Sequence, residues 1–436
     1  MYRSTLRNLL ITLLGAVLVS VTAVFASEAS VLVLVASAVY LVIGLGLYKF
    51  DYLHPSVAYL LPWLMILIFS ILPISRFARP IDFETYDVLL ATVFAWLIGC
   101  AGAQPASSRK SPHLMPSKQV GLPMEFKSNF ALLFALGFFA LYFFAAVNII
   151  FSGYIPLLSL LTTGDSRYLD FGLPSVYGAF LAYANAIGCL AYYVYLRTRR
   201  SPYLILFLSV FAVHVAFITR QNLVTLLVEA FVIRCLTIGR LSRISIIGCL
   251  ALTLLGFSLL GSLRSGDAKE LFGVQQEFMW VPTSIVWLYA YSYFNALNLD
   301  NTIMLSGAPF FDGFMWQTLL PSILRPSSNH ELELYQEVST AAASSYMYPV
   351  YMDIGKGVVA WTGALGLVTS VAYHRALHYQ RFVDIATYSC LFFCALLSFF
   401  VDFWLYLPVI FQLFFFWLFH LTMFKRHPST TSLAVA

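Results

Sequence analysis

The sequence predicts an all-α polytopic membrane protein with about twelve transmembrane helices and both termini in the cytoplasm. Of its 436 residues, 60% are hydrophobic and only 10% are charged, whereas soluble domains carry about 25% charged residues. Apolar runs near the roughly 20 residues that a helix needs to cross a bilayer recur along the chain. This composition excludes a cytosolic enzyme, a secreted disulfide-bonded domain and a disordered protein. The net charge of +5 is too scattered for nucleic-acid binding.

Twelve apolar runs are candidate spans, and we interpret the whole chain, 1–436, as a single integral-membrane domain. An alternative for the first run is a cleaved signal peptide, because Arg3 and Arg7 precede it and Ala26 follows it. The close start of the second run favours a helical hairpin instead. The predicted spans are 9–26, 31–48, 56–74, 87–103, 129–150, 174–196, 202–218, 222–238, 244–262, 355–373, 384–401 and 405–423.

The basic residues orient these spans. With the N-terminus inside, 17 of the 25 Lys and Arg residues fall in the inner segments, as the enrichment of cytoplasmic loops in Lys and Arg requires. The apolar run 278–297 would reverse this asymmetry for every later segment if it crossed the membrane. Since it contains Pro282, Asn295 and Asn298, we predict that it lies in or dips into the outer face.

Three loops are long enough to name. Residues 104–128 are rich in Ser, Pro, Lys and Arg and are predicted to be a cytoplasmic linker. Residues 151–173 and 263–354 are predicted outer loops. The last is large and partly helical, and loops of that length without a span usually carry function.

Isolated arginines mark the outer segments. An anionic ligand would explain them, because a guanidinium binds phosphate oxygens with two parallel hydrogen bonds. The alternative is that each arginine pairs with a carboxylate or reaches the lipid headgroups. Arg220 is the strongest candidate, because it lies in a turn of only a few residues between two spans. The arginines concerned are Arg167, Arg220, Arg264 and Arg325.

The outer loops also supply candidates for acid–base chemistry. His330 is the histidine of these loops, and Glu337 belongs to a glutamate cluster that is also typical of a solvated surface. Asp353 precedes the predicted span at 355, where a helix N-terminus would stabilise a carboxylate in a purely structural role. Asp165 lies two residues before Arg167. We therefore expect the catalytic groups to come from Asp165, His330, Glu337 and Asp353.

Glu229 lies inside a predicted span, where a carboxyl group needs a partner. His214 in the preceding span is a possible one, either as a structural polar clasp or as a proton relay. No phosphate-binding glycine loop and no clustered metal ligands occur in the sequence. We therefore expect neither a cofactor nor a metal.

Several stretches resemble the Wzy-type oligosaccharide repeat-unit polymerases of bacterial surface polysaccharides. The likeness covers about 150–370, and the order and spacing of the motifs carry it. Some members have, in the large loop, a second arginine that is followed by ten residues and then a glycine. This sequence lacks that second motif in its large loop. The stretches are 153–158 (GYIPLL) with 165–167 (DSR), the spacing from Arg167 to Gly178, 219–221 (TRQ), 261–264 (GSLR) and 346–357 (YMYPVYMDIGKG).

This resemblance implies a specific reaction in the inner (cytoplasmic) membrane of a bacterium. A growing glycan would leave undecaprenyl diphosphate and join a new lipid-linked repeat unit at the periplasmic face, without metal or ATP. Outer arginines, here Arg167, Arg220, Arg264 and Arg325, would hold the diphosphate. A chain-length regulator would be a possible protein partner, besides the lipid-linked oligosaccharide and the bilayer.

Two other functions remain open at this point. An O-antigen ligase would use an outer-loop histidine, for which His330 is available although its surroundings match poorly. A lipid-linked oligosaccharide flippase would need charges at mid-membrane depth and inverted repeats. Only Glu229 and His214 lie deep in the predicted spans, and the two halves of the sequence do not match.

Overall fold

A computed structural model describes the chain over 51–70, 72–103, 126–165, 167–168, 170–239, parts of 246–262, 266–305, parts of 309–324, and 344–425. The first two predicted spans and most of the 104–128 linker lie outside these residues. Within them the regular secondary structure is helical, and the two β-bridges are isolated pairs, Ser75 with Val274 and Phe126 with Phe424.

The described residues form fifteen α-helices, joined by short 3-10 and π turns. They are α1 (Pro55–Phe69), α2 (Phe83–Gly102), α3 (Phe130–Ser152), α4 (Pro156–Thr163), α5 (Val176–Thr198), α6 (Ser201–Ala216), α7 (Arg220–Ile238), α8 (Ala268–Leu271), α9 (Thr283–Tyr289), α10 (Asn295–Leu305), α11 (Phe314–Gln317), α12 (Met347–Ile354), α13 (Val358–Tyr379), α14 (Phe382–Leu396) and α15 (Leu407–Met423).

Nine of these helices occupy nine of the predicted spans, and the described residues of a tenth span, 244–262, are helical as well. The span predicted at 174–196, for example, is α5, and the one at 222–238 is α7. The largest difference concerns the span predicted to start at 355. The helical stretch begins at Met347, and a 3-10 turn at Gly355–Gly357 separates α12 from α13. Gly355 makes this break with a φ of 54°, which a glycine adopts readily.

Five helical stretches of the described chain are long and apolar enough to cross a membrane: α2, α3, α5, α7 and the 33 residues Met347–Tyr379. α1, α6, α14 and α15 are shorter apolar helices. Large apolar side chains on α3 face outward, with Phe139 68% and Ile150 79% exposed. Apolar surface of this kind is stable when lipid covers it. The described chain therefore has the helices that a multi-pass membrane protein requires.

The bundle has two ends, and contacts between distant segments define them. We call one the loop end, because it gathers the described residues of 70–82, 153–175, 217–219, 266–305, 313–321, 344–346 and 397–406. At the opposite end, Lys127 donates its backbone N–H to the carbonyl of Met423 at 3.0 Å, and Arg197 donates to the carbonyl of Gln380 at 3.4 Å. The connections between consecutive helices thus alternate between the two ends.

A buried carboxylate ties α13 to α14 at the opposite end. Asp384 is 4% exposed and accepts hydrogen bonds from the guanidinium groups of Arg375 at 3.1 Å and Arg381 at 2.6 Å. A buried charge needs such paired donors. This ion triad therefore fixes the turn between the two helices.

The long loop contributes one continuous helical stretch, 283–305, made of α9, a π turn (Ala290–Phe294) and α10. This stretch contacts residues that lie at or just beyond the ends of other helices. Tyr291 packs against Phe400 with ring centroids 4.9 Å apart, and the amide of Asn295 donates to the carbonyls of Phe399 and Phe400. The stretch therefore lies across the loop end of the bundle.

A second set of contacts fastens the long loop to 72–82. The backbone N–H of Arg76 donates to the carbonyl of Gly273 at 2.9 Å, and the backbone N–H of Gln275 donates to the carbonyl of Ile74 at 2.8 Å. The buried Asp300 carboxylate pairs with Arg79 at 2.6 Å. Backbone pairing and an ion pair with a buried carboxylate thus hold the loop on the connection between α1 and α2.

The closest helix pair is α2 with α13, which contact along their length. Small residues make this approach possible. A Cβ added at Gly366 would lie 2.6 Å from the carbonyl oxygen of Trp96, which is backbone and cannot rotate away. By contrast, a Cβ at Gly102 would meet only the Leu367 side chain, at 3.8 Å.

We predict that Gly366→Ala destabilises the protein, because the methyl group forces α2 and α13 apart. Overpacking of this kind costs about 1–3 kcal/mol. Thermal denaturation of the purified protein in detergent should give a lower Tm for Gly366→Ala than for the matched control Gly102→Ala. Equal Tm values for the two variants would contradict the close backbone contact.

Candidate functional site

Arg220 is the first residue of α7 and is only 7% exposed. Its guanidinium carbon lies 5.7 Å from the centre of the Trp287 ring, within the range of a cation–π contact. A Cβ at Gly261 would come within 3.0 Å of the Arg220 Nη1 atom and 2.9 Å of the Trp287 ring. The arginine is thus enclosed between the large loop and the helix that leads into it.

The turn before Arg220 is tightly built. The Ile218 backbone adopts a φ of 53°, which is costly for a β-branched residue and reverses the chain in a few residues. His214 Nδ1 and the Thr219 hydroxyl form a hydrogen bond of 3.0 Å, and the backbone N–H of Thr219 donates to the His214 carbonyl. His214 therefore stabilises the turn that positions Arg220, and no hydrogen bond joins it to Glu229 in the described structure.

The predicted pair of Asp165 and Arg167 lies on the surface. Their side chains are 70% and 63% exposed, and the closest charged atoms are 3.9 Å apart. The Asp165 carboxylate accepts the backbone N–H of Arg167 at 3.0 Å, and the Tyr154 hydroxyl donates to the Arg167 carbonyl at 2.7 Å. These bonds hold Arg167 at a φ of 43°. The guanidinium remains available to a ligand.

The loop bearing Arg167 packs beside the turn bearing Arg220. The Phe171 ring contacts Phe217 with centroids 4.6 Å apart. Gly261, which touches Arg220, is three residues before Arg264 in the sequence. Three segments far apart in sequence therefore meet at the loop end. Four of the predicted site residues lie outside the described residues: Arg264, Arg325, His330 and Glu337.

Asp353 does not open a membrane span, as the sequence had suggested. It is the second-last residue of α12 and is 3% exposed. Its two carboxylate oxygens accept the backbone N–H groups of Phe314 at 3.0 Å and Met315 at 2.9 Å. Asp353 thus caps the N-terminus of a different helix, α11, where a carboxylate offsets the helix dipole. Because both oxygens are occupied, a role in proton transfer is disfavoured.

The partner expected for Glu229 is also different. Its Oε2 atom accepts hydrogen bonds from the Gln412 amide at 2.6 Å and the Cys189 thiol at 3.0 Å. These residues belong to α15 and α5, so Glu229 joins three helices inside the bundle. This is the polar clasp that the sequence suggested, made with other residues.

A carboxyl group that the sequence analysis did not select lies in the connection between α14 and α15. Asp402 is 6% exposed, and its Oδ1 atom accepts the backbone N–H groups of Trp404 at 2.9 Å and Leu405 at 3.3 Å. Its Oδ2 atom is buried and accepts no hydrogen bond from the described residues. The sequence does contain a feature that could have identified Asp402, since this single carboxylate interrupts the apolar run from Phe399 to Trp404.

Burial raises the pKa of Asp402 from 3.8 to about 7, although the two backbone N–H groups act in the opposite direction. Tyr346 is the titratable group that interacts with it electrostatically in the described structure. A carboxyl group with a pKa near neutrality can accept or donate a proton in the physiological range.

Comparison with known proteins adds no assignment. Neither a protein-family model, nor a curated protein, nor a solved structure matches this chain. Its function must therefore be inferred from the residues and from the geometry of the loop end.

Proposed function

We propose that this chain is a polysaccharide polymerase that transfers a growing glycan from undecaprenyl diphosphate to a new lipid-linked repeat unit. The site is the loop end of the bundle, facing the periplasm. The observation that carries the proposal is the enclosure of Arg220 at the meeting point of three segments. These segments contain three of the motifs on which the resemblance rests: 153–167, 219–221 and 261–264.

Arg220 has the properties that a lipid diphosphate requires. It is a permanent cation at the end of a candidate membrane-spanning helix, and Trp287 and Gly261 restrict its position. A guanidinium that is already oriented loses little entropy when it binds phosphate. Arg167, exposed on the neighbouring loop, would add a second contact, and Arg264 follows the segment that touches Arg220.

The chemistry needs charge stabilisation and a base. The bond between the anomeric carbon and the diphosphate oxygen breaks, and a bond from that carbon to an acceptor hydroxyl oxygen forms. The diphosphate leaves with the electron pair, and fixed cations stabilise the negative charge that develops on it. A base takes the hydroxyl proton. These steps need neither a nucleotide nor a metal.

The proposed topology has twelve spans with both termini in the cytoplasm. It is supported by the basic residues, since 17 of the 25 fall in the segments assigned to the inner side. Reporter fusions after residues 170, 300 and 340 should all report a periplasmic location. A cytoplasmic signal after residue 340 would contradict this topology and the periplasmic site.

Loss of the gene should leave cells that make and export a single repeat unit but no long chains. The reason is that a single repeat unit can be exported and attached without being polymerised, whereas elongation of the glycan depends on this chain alone. Electrophoresis of the surface glycan checks this. Persistent long chains would refute the polymerase, provided the genome holds no second one. Loss of single units as well would instead indicate a ligase or a flippase.

Substitutions around Arg220 should separate binding from folding. A charged hydrogen bond contributes about 1.5–3 kcal/mol, so Arg220→Ala should lower chain elongation per molecule on the order of tenfold or more. Arg220→Lys should restore it only in part, because lysine lacks the planar fork and stacks less well on Trp287.

Gly261→Ala provides an independent test, because its methyl group would displace both Arg220 and the Trp287 ring. Elongation per molecule should fall, whereas the matched control Gly256→Ala, whose Cβ would meet no atom of the described residues within 4 Å, should behave as wild type. Membrane abundance is measured for every variant. If the membrane abundance of the variants falls in proportion to total elongation, the role of Arg220 is structural.

A further inference from the structure

The connection between α14 and α15, residues 397–406, reaches into the helix bundle. The Trp63 indole donates to the Ser398 hydroxyl at 3.0 Å, and Trp63 lies in the middle of α1. The Trp404 ring is 5.8 Å from that of Trp96, which is well inside α2. Non-helical backbone at such depth is tolerated where protein buries it or where it lines a site.

A second non-helical segment joins this connection. The backbone N–H of Tyr346 donates to the Ser398 carbonyl at 3.0 Å, and the Tyr346 hydroxyl bonds to Tyr59 at 2.8 Å. The start of α12 is therefore beside 397–406, inside the bundle. This places one of the motifs of the resemblance, 346–357, next to Asp402.

Three residues of these segments, 344–346 and 397–406, are almost fully buried and carry a polar atom that forms no hydrogen bond with the described residues. These atoms are the carboxylate Oδ2 of Asp402, the indole Nε1 of Trp404 and the hydroxyl of Ser345. All three residues are more than nine-tenths buried. A buried polar group without a partner costs about 1–3 kcal/mol. The carboxylate is an acceptor, the indole is a donor, and the serine hydroxyl can be either. Such a set of groups suits a ligand that bears hydroxyl groups.

A short element of the large loop covers this region. The Thr318 hydroxyl donates to the Leu405 carbonyl, and the backbone N–H of Leu407 donates to the Thr318 carbonyl at 3.1 Å. Thr318 directly follows α11, the helix that Asp353 caps. Gly313, with a φ of 75°, begins α11. The element 313–318 is thus a strap over the connection, fastened by Asp353 at one end and by Thr318 at the other.

We propose that Asp402 is the base of the transfer, with its Oδ2 atom receiving the proton of the acceptor sugar hydroxyl once the strap has moved aside. This inference rests on the proposed polymerase function. The hydroxyl oxygen forms the new bond to the anomeric carbon, its proton passes to Asp402, and the lipid diphosphate departs with the electron pair. In this proposal the Trp404 indole and the Ser345 hydroxyl bind other hydroxyl groups of the acceptor.

The fixed Oδ1 atom supports this assignment. Two backbone N–H groups hold Oδ1, so the carboxylate keeps one orientation and presents Oδ2 alone. The raised pKa of Asp402, about 7, makes the group a stronger base than an exposed aspartate while leaving it substantially ionised at neutral pH. Tyr346 is the titratable side chain that interacts with it in the described structure, and the Asp402→Asn variant decides whether a protonation seen near pH 7 belongs to this carboxyl group.

The experiment complements a deletion strain with wild type, Asp402→Asn, Asp402→Glu or Asp384→Asn, and measures chain elongation per molecule of membrane protein. A general base contributes about 10²–10⁴-fold. Asp402→Asn should therefore lose about 100-fold or more, and Asp402→Glu should recover part of the activity. Asp384→Asn, which alters a buried carboxylate at the opposite end of the bundle, should keep wild-type elongation per molecule even where its abundance falls.

A pH profile gives a readout that a structural role would not change. In membranes supplied with lipid-linked repeat units, the initial rate of wild type should rise with pH through about 7, as Asp402 ionises, and the residual rate of Asp402→Asn should not. Elongation by Asp402→Asn within threefold of wild type, or a flat wild-type profile from pH 5.5 to 8.5, would overturn the assignment while leaving the polymerase intact. Long chains in the uncomplemented deletion strain would refute both.

Discussion

The buried carboxylate of Asp300 is the contact on which the arrangement of the loop end depends. It receives the Arg79 guanidinium, the Thr85 hydroxyl at 2.6 Å and the backbone N–H of Asp82 at 2.9 Å. These donors all come from the connection between α1 and α2 or from the first turn of α2. A buried charge without them would be strongly destabilising, so Asp300 fixes α10 against α2. The stretch 283–305 then has only one way to lie across the helix ends.

The position of this stretch determines both parts of the candidate site. Near its beginning, Trp287 covers Arg220 and restricts the guanidinium. About two turns later, Asn295 binds the carbonyls of Phe399 and Phe400, at the start of the connection that carries Asp402. One helical stretch therefore contacts both Arg220, the proposed diphosphate ligand, and the connection that carries the proposed base.

The sequence predicted the helices well and their interruptions poorly. Apolar runs such as 174–196 locate a helix because lipid or protein must cover its whole surface, and α5 follows within two residues at either end. The beginning of α12 at Met347 was missed. Its residues are apolar enough to belong to a span, yet the predicted span began only at 355. Only the contacts of Tyr346 with Ser398 and Tyr59 explain why the chain is already helical and buried there.

The site residues show the same contrast between what the local sequence predicts and what depends on contacts with distant segments. Arg220 could be selected from the sequence, because a turn of a few residues between two apolar runs confines a charged side chain to the ends of those two helices. Its contacts with Trp287 and Gly261 could not, since Trp287 lies in the large loop and Gly261 lies at the end of the helix before that loop, both distant in sequence from Arg220. Glu229 was correctly recognised as needing a partner, but Cys189 and Gln412 look like ordinary packing residues in the sequence. Pairing across helices depends on helix rotation, which a single sequence does not reveal.

The outer carboxylates show how geometry assigns roles that residue type leaves open. Asp300 and Asp353 have both oxygens occupied by donors of the protein, so each stabilises a fold contact. Asp402 has one oxygen held by backbone N–H groups and the other without a partner in the described structure. Asp353 is linked to this connection, because it caps α11, and Thr318 directly after α11 donates to the Leu405 carbonyl, three residues from Asp402. In the proposed reaction, the motif at 346–357 would therefore supply a positioning aspartate, and the connection after α14 would supply the base.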